Sequence, residues 1–213
     1  MAKREFGQYC GLARAVEIVG ERWALLIIRD LLVGPRRYTD LRNGLPKIPT
    51  NILSARLKEM EAAGVVQRRV LPRPDGSVVY ELTDYGRDLE EAVMHLSRWG
   101  ARSLGEPRPG EIVTPASMVL AMRNTFRPEA AAGLAARYEV RMGETVFHMR
   151  VADGALNAGE GPLPDADLVI ETGMAIKAVM AGEITPAEAV ATGAVRIEGD
   201  PALLERFAEV FAI

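Results

Sequence analysis

The chain has 213 residues, 48% hydrophobic and 26% charged, with a net charge of −3. That is the make-up of a globular protein at a length where one core usually divides into two. One cysteine excludes an internal disulfide, two histidines and a cysteine give no metal-site spacing, and no apolar run reaches the ~18 residues of a membrane helix. The expectation is a cytoplasmic protein with no metal, no cofactor and no membrane insertion; MAKREFGQYC has no apolar signal region. The charge is uneven: residues 1–105 carry +4 and residues 106–213 carry −7. Phosphate would attract the first part and repel the second.

In chain order, a first helix is predicted over Leu12–Val19, with Cys10 just before it and Arg14 one turn on. The positive end of a helix dipole favours a thiolate there, although a small buried residue is the plainer reading of Cys10. Thr39 is expected to open a short helix, and a second follows Pro49, which suits a helix start. In that second helix Ile52, Leu53, Leu57 and Met60 recur at helical spacing and predict a buried stripe. Thr50, Asn51, Ser54, Ala55 and Lys58 then face outward, and Gly64 ends the helix. Val65–Leu71 and Val78–Leu82 have strand composition and turn at Asp75-Gly76. Gln67, Arg68, Arg69 and Arg73 put positive charge on this ribbon.

A helix pair closed by a basic ribbon is the layout of a winged helix-turn-helix, with one helix in the DNA major groove and a hairpin against the backbone. The candidate contacts are Thr50, Asn51, Ser54, Arg56 and Lys58 on the helix, and Arg68 and Arg73 on the ribbon. Asn can pair with adenine, and Ser or Thr with several bases. A long helix is then expected over Leu82–Leu104, where Leu89, Val93, Leu96 and Trp99 form a stripe that needs a partner. His95 on it reads as a surface or interface residue.

Residues 8–104 resemble the HxlR family of bacterial transcriptional regulators. The resemblance rests on Cys10, Gly20-x-Arg22-Trp23, Leu31, Leu53-x-x-Arg56-Leu57, Glu61-x-x-Gly64 and Leu82-Thr83-x-x-Gly86. It implies a homodimer that binds a double-stranded DNA operator. It also implies that a cysteine at the place of Cys10 can answer oxidants, aldehydes or quinones. Pro49 and Asn51 stand where the family often has Ser and Lys, and Gly11 where Pro is common, so operator preference does not carry over.

Gly105-Glu-Pro-Arg-Pro-Gly110 marks a connector, set at residues 106–111 between a DNA-binding and dimerisation domain at 1–105 and a second domain at 112–213. The second domain reads as α+β, which makes the whole chain α+β. A helix is predicted over Pro115–Asn124. Strands are predicted over Arg137–Met142 and Thr145–Val151, joined at Gly143-Glu144, and over Gly154–Ala158 and Leu168–Ile170. Gly159–Gly161 is expected to be a loop. Helices over Gly173–Ala181 and Pro186–Thr192, a strand over Ala194–Glu198 and a helix over Pro201–Phe211 complete the domain. Thr185, Pro186 and Glu188 make a capping box. His148 alternates away from Phe147 and Met149 and is expected at the surface.

The tail is similar to the sterol-carrier-protein-like lipid-transfer fold, through Ala181-Gly182, Thr185-Pro186-x-x-Ala189 and Gly193-x-x-x-Ile197-x-Gly199-Asp200. The resemblance implies an antiparallel sheet covered by helices, with an apolar tunnel for a hydrophobic small molecule of acyl or sterol-like kind. Its lining would be Met122, Phe126, Phe147, Met149, Val179, Met180, Phe207 and Phe211, which equally suit a filled core. No catalytic triad spacing, phosphate loop or suggestive carboxylate pair is present, so no enzyme is expected. The reading is therefore a one-component regulator whose DNA binding is modulated by that molecule, with the Leu82–Leu104 helix and the connector as the coupling route. A thiol sensor acting through Cys10 with a structural second domain is one alternative. A lipid-binding carrier and a second domain serving only oligomerisation are two others.

Overall fold

A computed structural model describes residues 5–105 and 107–213; Met1–Arg4, and Glu106 of the expected connector, lie outside the described residues. The chain divides into two compact units, Met1–Leu104 and Gly105–Ile213.

The first unit runs α1 (Gly11–Val19), α2 (Ala24–Val33), α3 (Tyr38–Gly44), α4 (Thr50–Ala62), β1 (Val66–Val70), β2 (Val78–Leu82), α5 (Asp84–Arg87) and α6 (Glu90–Ala101). Its centre is α2, whose sequence ALLIIRDLLV is apolar nearly all round, as suits a helix enclosed by others. Ile27, Ile28 and Leu31 meet Leu41, Leu53, Leu57, Met60 and Leu82 in a core where none is more than 1% exposed. The α4 helix stops by a Schellman turn: Gly64 takes φ +74, its N–H bonds Glu61 O, and Val65 N–H bonds Met60 O at 2.9 Å. Thr83 then caps α5, accepting Gly86 N–H at 3.1 Å and donating to Gly64 O at 2.5 Å. A Cβ at Gly86 would lie 2.1 Å from Val65 O, so only glycine lets α5 pack against that turn.

Three expectations change here. The short helix opens at Tyr38, not Thr39, because Asp40 accepts Arg37 N–H at 2.9 Å. Leu82 ends a strand, and the expected single helix to Leu104 is divided into α5 and α6 at Asp88-Leu89. Ile52 is half-buried rather than part of the enclosed stripe.

The second unit runs α7 (Pro115–Thr125), β3 (Ala135–Met142), β4 (Thr145–Ala152), β5 (Ala155–Glu160), β6 (Leu168–Thr172), α8 (Ala175–Met180), α9 (Pro186–Ala191), β7 (Val195–Gly199) and α10 (Ala202–Val210). The sheet order is β5-β4-β3-β6-β7. The sheet is mostly antiparallel, with β3 and β6 the parallel pair. The chain leaves β5 at one edge and returns to enter on the far side of β3, where Asp167 N–H bonds Arg137 O at 2.8 Å. Gly159 and Glu160 belong to β5, paired with His148 and Phe147, rather than to a loop. One sheet face carries Tyr138, Val140, Phe147, Met149, Leu168 and Ile170, all 0–1% exposed, and α10 packs on it through Phe207. The other face carries two groups of ion pairs, Arg137 with Asp165 and Asp167, and Arg141 with Glu139 and Glu171.

Candidate nucleic-acid interface

The exposed side of α4 is set by what buries the other side. Leu53, Leu57 and Met60 are 0–1% exposed, which turns Thr50, Asn51, Ser54 and Lys58 to solvent along one surface. Pro49 is the N-cap, with φ −64 and no side-chain capping bond. The anchoring instead comes from α3: Tyr38 OH donates to Thr50 O at 2.9 Å and lies 3.2 Å from Ser54 Oγ. This hydroxyl fixes the angle between the two helices at the end expected to meet DNA.

Ion pairs sort the basic residues. Arg56 is half-buried, with Nη1 2.5 Å from Glu59 and 3.7 Å from Glu21, so its charge is engaged within the fold. Arg68 bonds Glu61 at 2.9 Å, tying the hairpin to the last turn of α4, and that carboxylate holds the guanidinium pKa above its ordinary value. Arg69 and Gln67 both bond Glu81 across the ribbon, at 2.8 and 2.9 Å. Arg69 holds the Glu81 carboxyl below the usual carboxylate range, against the opposing effect of burial. Arg37 bonds Asp75 at 2.6 Å and secures the hairpin tip, and Arg36 and Tyr80 exchange backbone bonds of 2.9 and 2.7 Å beside the middle of β2. Lys58 and Arg73 are exposed, with no carboxylate at ion-pair distance among the described residues.

Cys10 is exposed at the N-cap of α1, in extended conformation with φ −145. Its thiol pKa is held below the ordinary value by the backbone N–H groups of Ala13 and Leu12. Arg14 gives it little support, because that guanidinium pairs with Glu17 at 2.7 Å.

In the second unit, Met122, Phe147, Met149, Val179, Met180, Phe207 and Phe211 are each at most 4% exposed, and Phe126 is half-buried. Rings touch rings: Phe207–Phe211 centroids are 4.9 Å apart, Tyr138–Phe207 5.5 Å and Phe126–Phe211 5.7 Å. Tyr138 lies wholly inside this cluster, its hydroxyl has no hydrogen-bond partner among the described residues, and burial pushes its pKa up to about 12. His148 is half-buried, its Nδ1 3.0 Å from Gly161 O.

The family model described as HxlR-like helix-turn-helix matches residues 18–107. The transcriptional regulator YvaP of Bacillus subtilis is 40% identical over 86 residues, which are 40% of this chain and 80% of YvaP. The chain belongs to the HxlR-like helix-turn-helix family. It is a DNA-binding transcriptional regulator of HxlR type. A solved structure titled as the oxidised form of the redox regulator HypR covers 45% of the chain and 99% of HypR, at 29% identity and a TM-score of 0.42. Another, of quinone-bound YodB from B. subtilis, covers 43% and 96%, at 31% identity and a TM-score of 0.37. Residues 119–213 match a different family model, described as alkyl sulfatase C-terminal. Among the described residues no group of three or more His, Cys, Asp or Glu is placed to hold a metal ion.

Within the HxlR-like unit, sequence reasoning missed the positioning roles of Tyr38 and Glu81, and read Asp75 as a turn residue without its bond to Arg37. Their signal was weak. A tyrosine and an acid in a basic segment read as exposed side chains until their partners are known.

Proposed function

We propose that two copies of the chain bind a pseudo-palindromic operator, with α4 in the major groove and the β1–β2 hairpin as the wing. The observation that carries this is the exposed, uncommitted row on α4, Asn51 and Lys58, beside an exposed Arg73 on a hairpin tied back to α3 and α4. Pairing of copies is supported by apolar side chains left in solvent: Phe6, Tyr9 and Leu12 at the start of the chain, and Leu96 and Trp99 on α6, are 50% exposed or more. In a test by fluorescence anisotropy on duplexes, Asn51→Ala changes which bases are preferred, at about 1–3 kcal/mol per contact. Arg73→Ala weakens all sequences alike and lowers the salt slope by about one. Equal effects of both changes on preference would reject the assignment.

Two readings of the signal have their own support. The orphaned Tyr138 hydroxyl inside the ring cluster suits a hydrophobic ligand with one hydrogen-bonding group, of acyl or sterol-like size, admitted by rearrangement of Phe126 and Phe211. A long-chain alcohol or acid that raises the melting temperature of the chain, but not of Tyr138→Phe, supports it; no shift with any such compound rejects it. Alternatively the exposed, acidified Cys10 answers oxidants. Diamide then changes DNA affinity, and Cys10→Ser removes that response while basal binding stays. An unchanged response in the Ser variant eliminates Cys10.

A further inference from the structure

Beside α4 lies an open groove of about 320 Å³. Its walls are Arg22 and Trp23 from the α1–α2 turn, Lys47 and Pro49 from the α3–α4 loop, and Ile52 and Arg56 from α4 itself. We propose that this groove holds a phosphodiester of the DNA backbone, with Arg22 and Lys47 as its cationic contacts. The proposal rests on the reading of α4 as the recognition helix and adds to it a third point of attachment, apart from helix and wing.

Charge is the first support. In this unit Arg14, Arg29, Arg37, Arg56, Arg68 and Arg69 all lie at ion-pair distance from a carboxylate. Arg22 and Lys47 are exposed and have no such partner among the described residues. The groove also contains Glu21, but that carboxylate faces Arg56 at 3.7 Å, so Arg22 and Lys47 leave the groove positive. An open, positive trough suits a strand that passes through it better than a small molecule that must be enclosed.

Preorganisation is the second. The Arg22 guanidinium carbon stands 5.2 Å from the centre of the Trp23 ring. A cation–π contact of this kind steadies the guanidinium near the groove and leaves its N–H groups free for the oxygens of a phosphate. Trp23 does this from a left-handed backbone, φ +81 and ψ −21, as the N-cap of α2. A non-glycine residue held there is uncommon, and such strain gathers at functional sites. The apolar walls, Pro49 and Ile52, offer surface to a sugar.

Position is the third. Pro49 is the N-cap of α4, and Asn51 stands two residues further on. A phosphate gripped at Arg22 and Lys47 therefore lies at the end of the helix expected to read bases, where a backbone contact sets how that helix sits.

The test uses the full chain in anisotropy titrations over a salt series, on an operator and on scrambled duplexes. Arg22→Gln and Lys47→Gln should each lower affinity by roughly 3–10-fold at low salt, equally for every sequence, and each should reduce the salt slope by about one. Arg22→Lys should restore the slope but not the affinity, since it keeps the charge and loses the guanidinium fork. Thermal melting of all three should match the parent. If both Gln variants keep the parental slope while Asn51→Ala still shifts base preference, the groove proposal fails and the reading of α4 survives. If Asn51→Ala is also silent, both fail together. A groove that takes free anions instead would show a parental DNA slope in Arg22→Gln and the loss of a thermal shift given by inorganic phosphate or benzoate, and that result also overturns the proposal.

Discussion

The two units use their aromatic side chains in opposite ways. In the second unit, Tyr138, Phe147, Phe207 and Phe211 are at most 1% exposed, and the rings of Tyr138, Phe207 and Phe211 touch one another. In the first, Phe6, Tyr9, Tyr85 and Trp99 are 55% exposed or more, while an aliphatic core of Ile, Leu and Met fills the interior. A unit that encloses its aromatic rings is complete as a fold. One that leaves them in water has surface still to cover, and a row at α1 together with a row at α6 is what a second copy would cover. The lesson is that incompleteness is itself information, and it lies in the unit whose family binds DNA.

The largest effect should come from charging that surface. Leu96→Glu with Trp99→Glu is expected to leave the chain monomeric. It should weaken operator binding by roughly 10²–10⁴-fold, because the second half-site is no longer tethered to the first. Sedimentation velocity and anisotropy measure the two quantities. An unchanged mass would move the interface off α6.

Next comes the aromatic cluster of the second unit. Phe207 is fully enclosed, so Phe207→Ala should destabilise the second unit by about 3–5 kcal/mol. A separate transition for the first unit should stay in place in differential scanning calorimetry. Were Phe207 the wall of an open tunnel, the truncation would leave little new cavity, and the loss would fall under about 1 kcal/mol.

Tyr138→Phe sharpens the same contrast with the opposite sign. Its hydroxyl is buried without a partner, so removing it from the ligand-free protein should be neutral or stabilising, by up to ~1–3 kcal/mol. Because the folded-state pKa is raised, to about 12, the folded state favours the neutral phenol. That contribution is fully present below the unfolded pKa of about 10 and is lost as pH rises toward 12. The parent should therefore lose stability over that window more steeply than Tyr138→Phe. A destabilised variant would mean that the hydroxyl already has a partner, such as an ordered water.

Much of this architecture was legible in the sequence where a local rule decides. Thr50–Ala62 showed itself by its apolar spacing and Gly64, the β1–β2 hairpin by Asp75-Gly76, and α9 by Thr185, Pro186 and Glu188. The α2 helix gave no such signal, because a helix apolar nearly all round has little period to read. The parallel β3–β6 pair was equally silent, since strand direction depends on a crossing that composition does not encode. The basic residues were harder still. Arg56, Arg68 and Arg73 look alike in the sequence, yet the first two face Glu59 and Glu61 while Arg73 faces solvent. That difference rests on which carboxylate a fold brings near, so the candidate site could be placed on its elements but not ranked residue by residue.

The smallest expected effect tests that ranking. Glu81 is 9% exposed and accepts from both Arg69 and Gln67, so it holds the ribbon together and neutralises a cation on the unit that binds DNA. Its folded-state pKa lies below the ordinary carboxylate value, chiefly because of Arg69. Its stabilisation is therefore present above the unfolded pKa, near 4.3, and is lost as pH falls through the lower folded value. Glu81→Gln should cost about 1 kcal/mol or less in urea unfolding at neutral pH, since Arg69 is partly exposed, and the gap to the parent should close in strong acid. Binding should move the other way. With its carboxylate gone, Arg69 becomes one more free cation on the hairpin, so affinity for scrambled DNA should rise and the salt slope should steepen by about one. A variant that loses stability without gaining slope would place Arg69 away from the phosphates, and confine the basic contacts to Lys58, Arg73 and the groove beside α4.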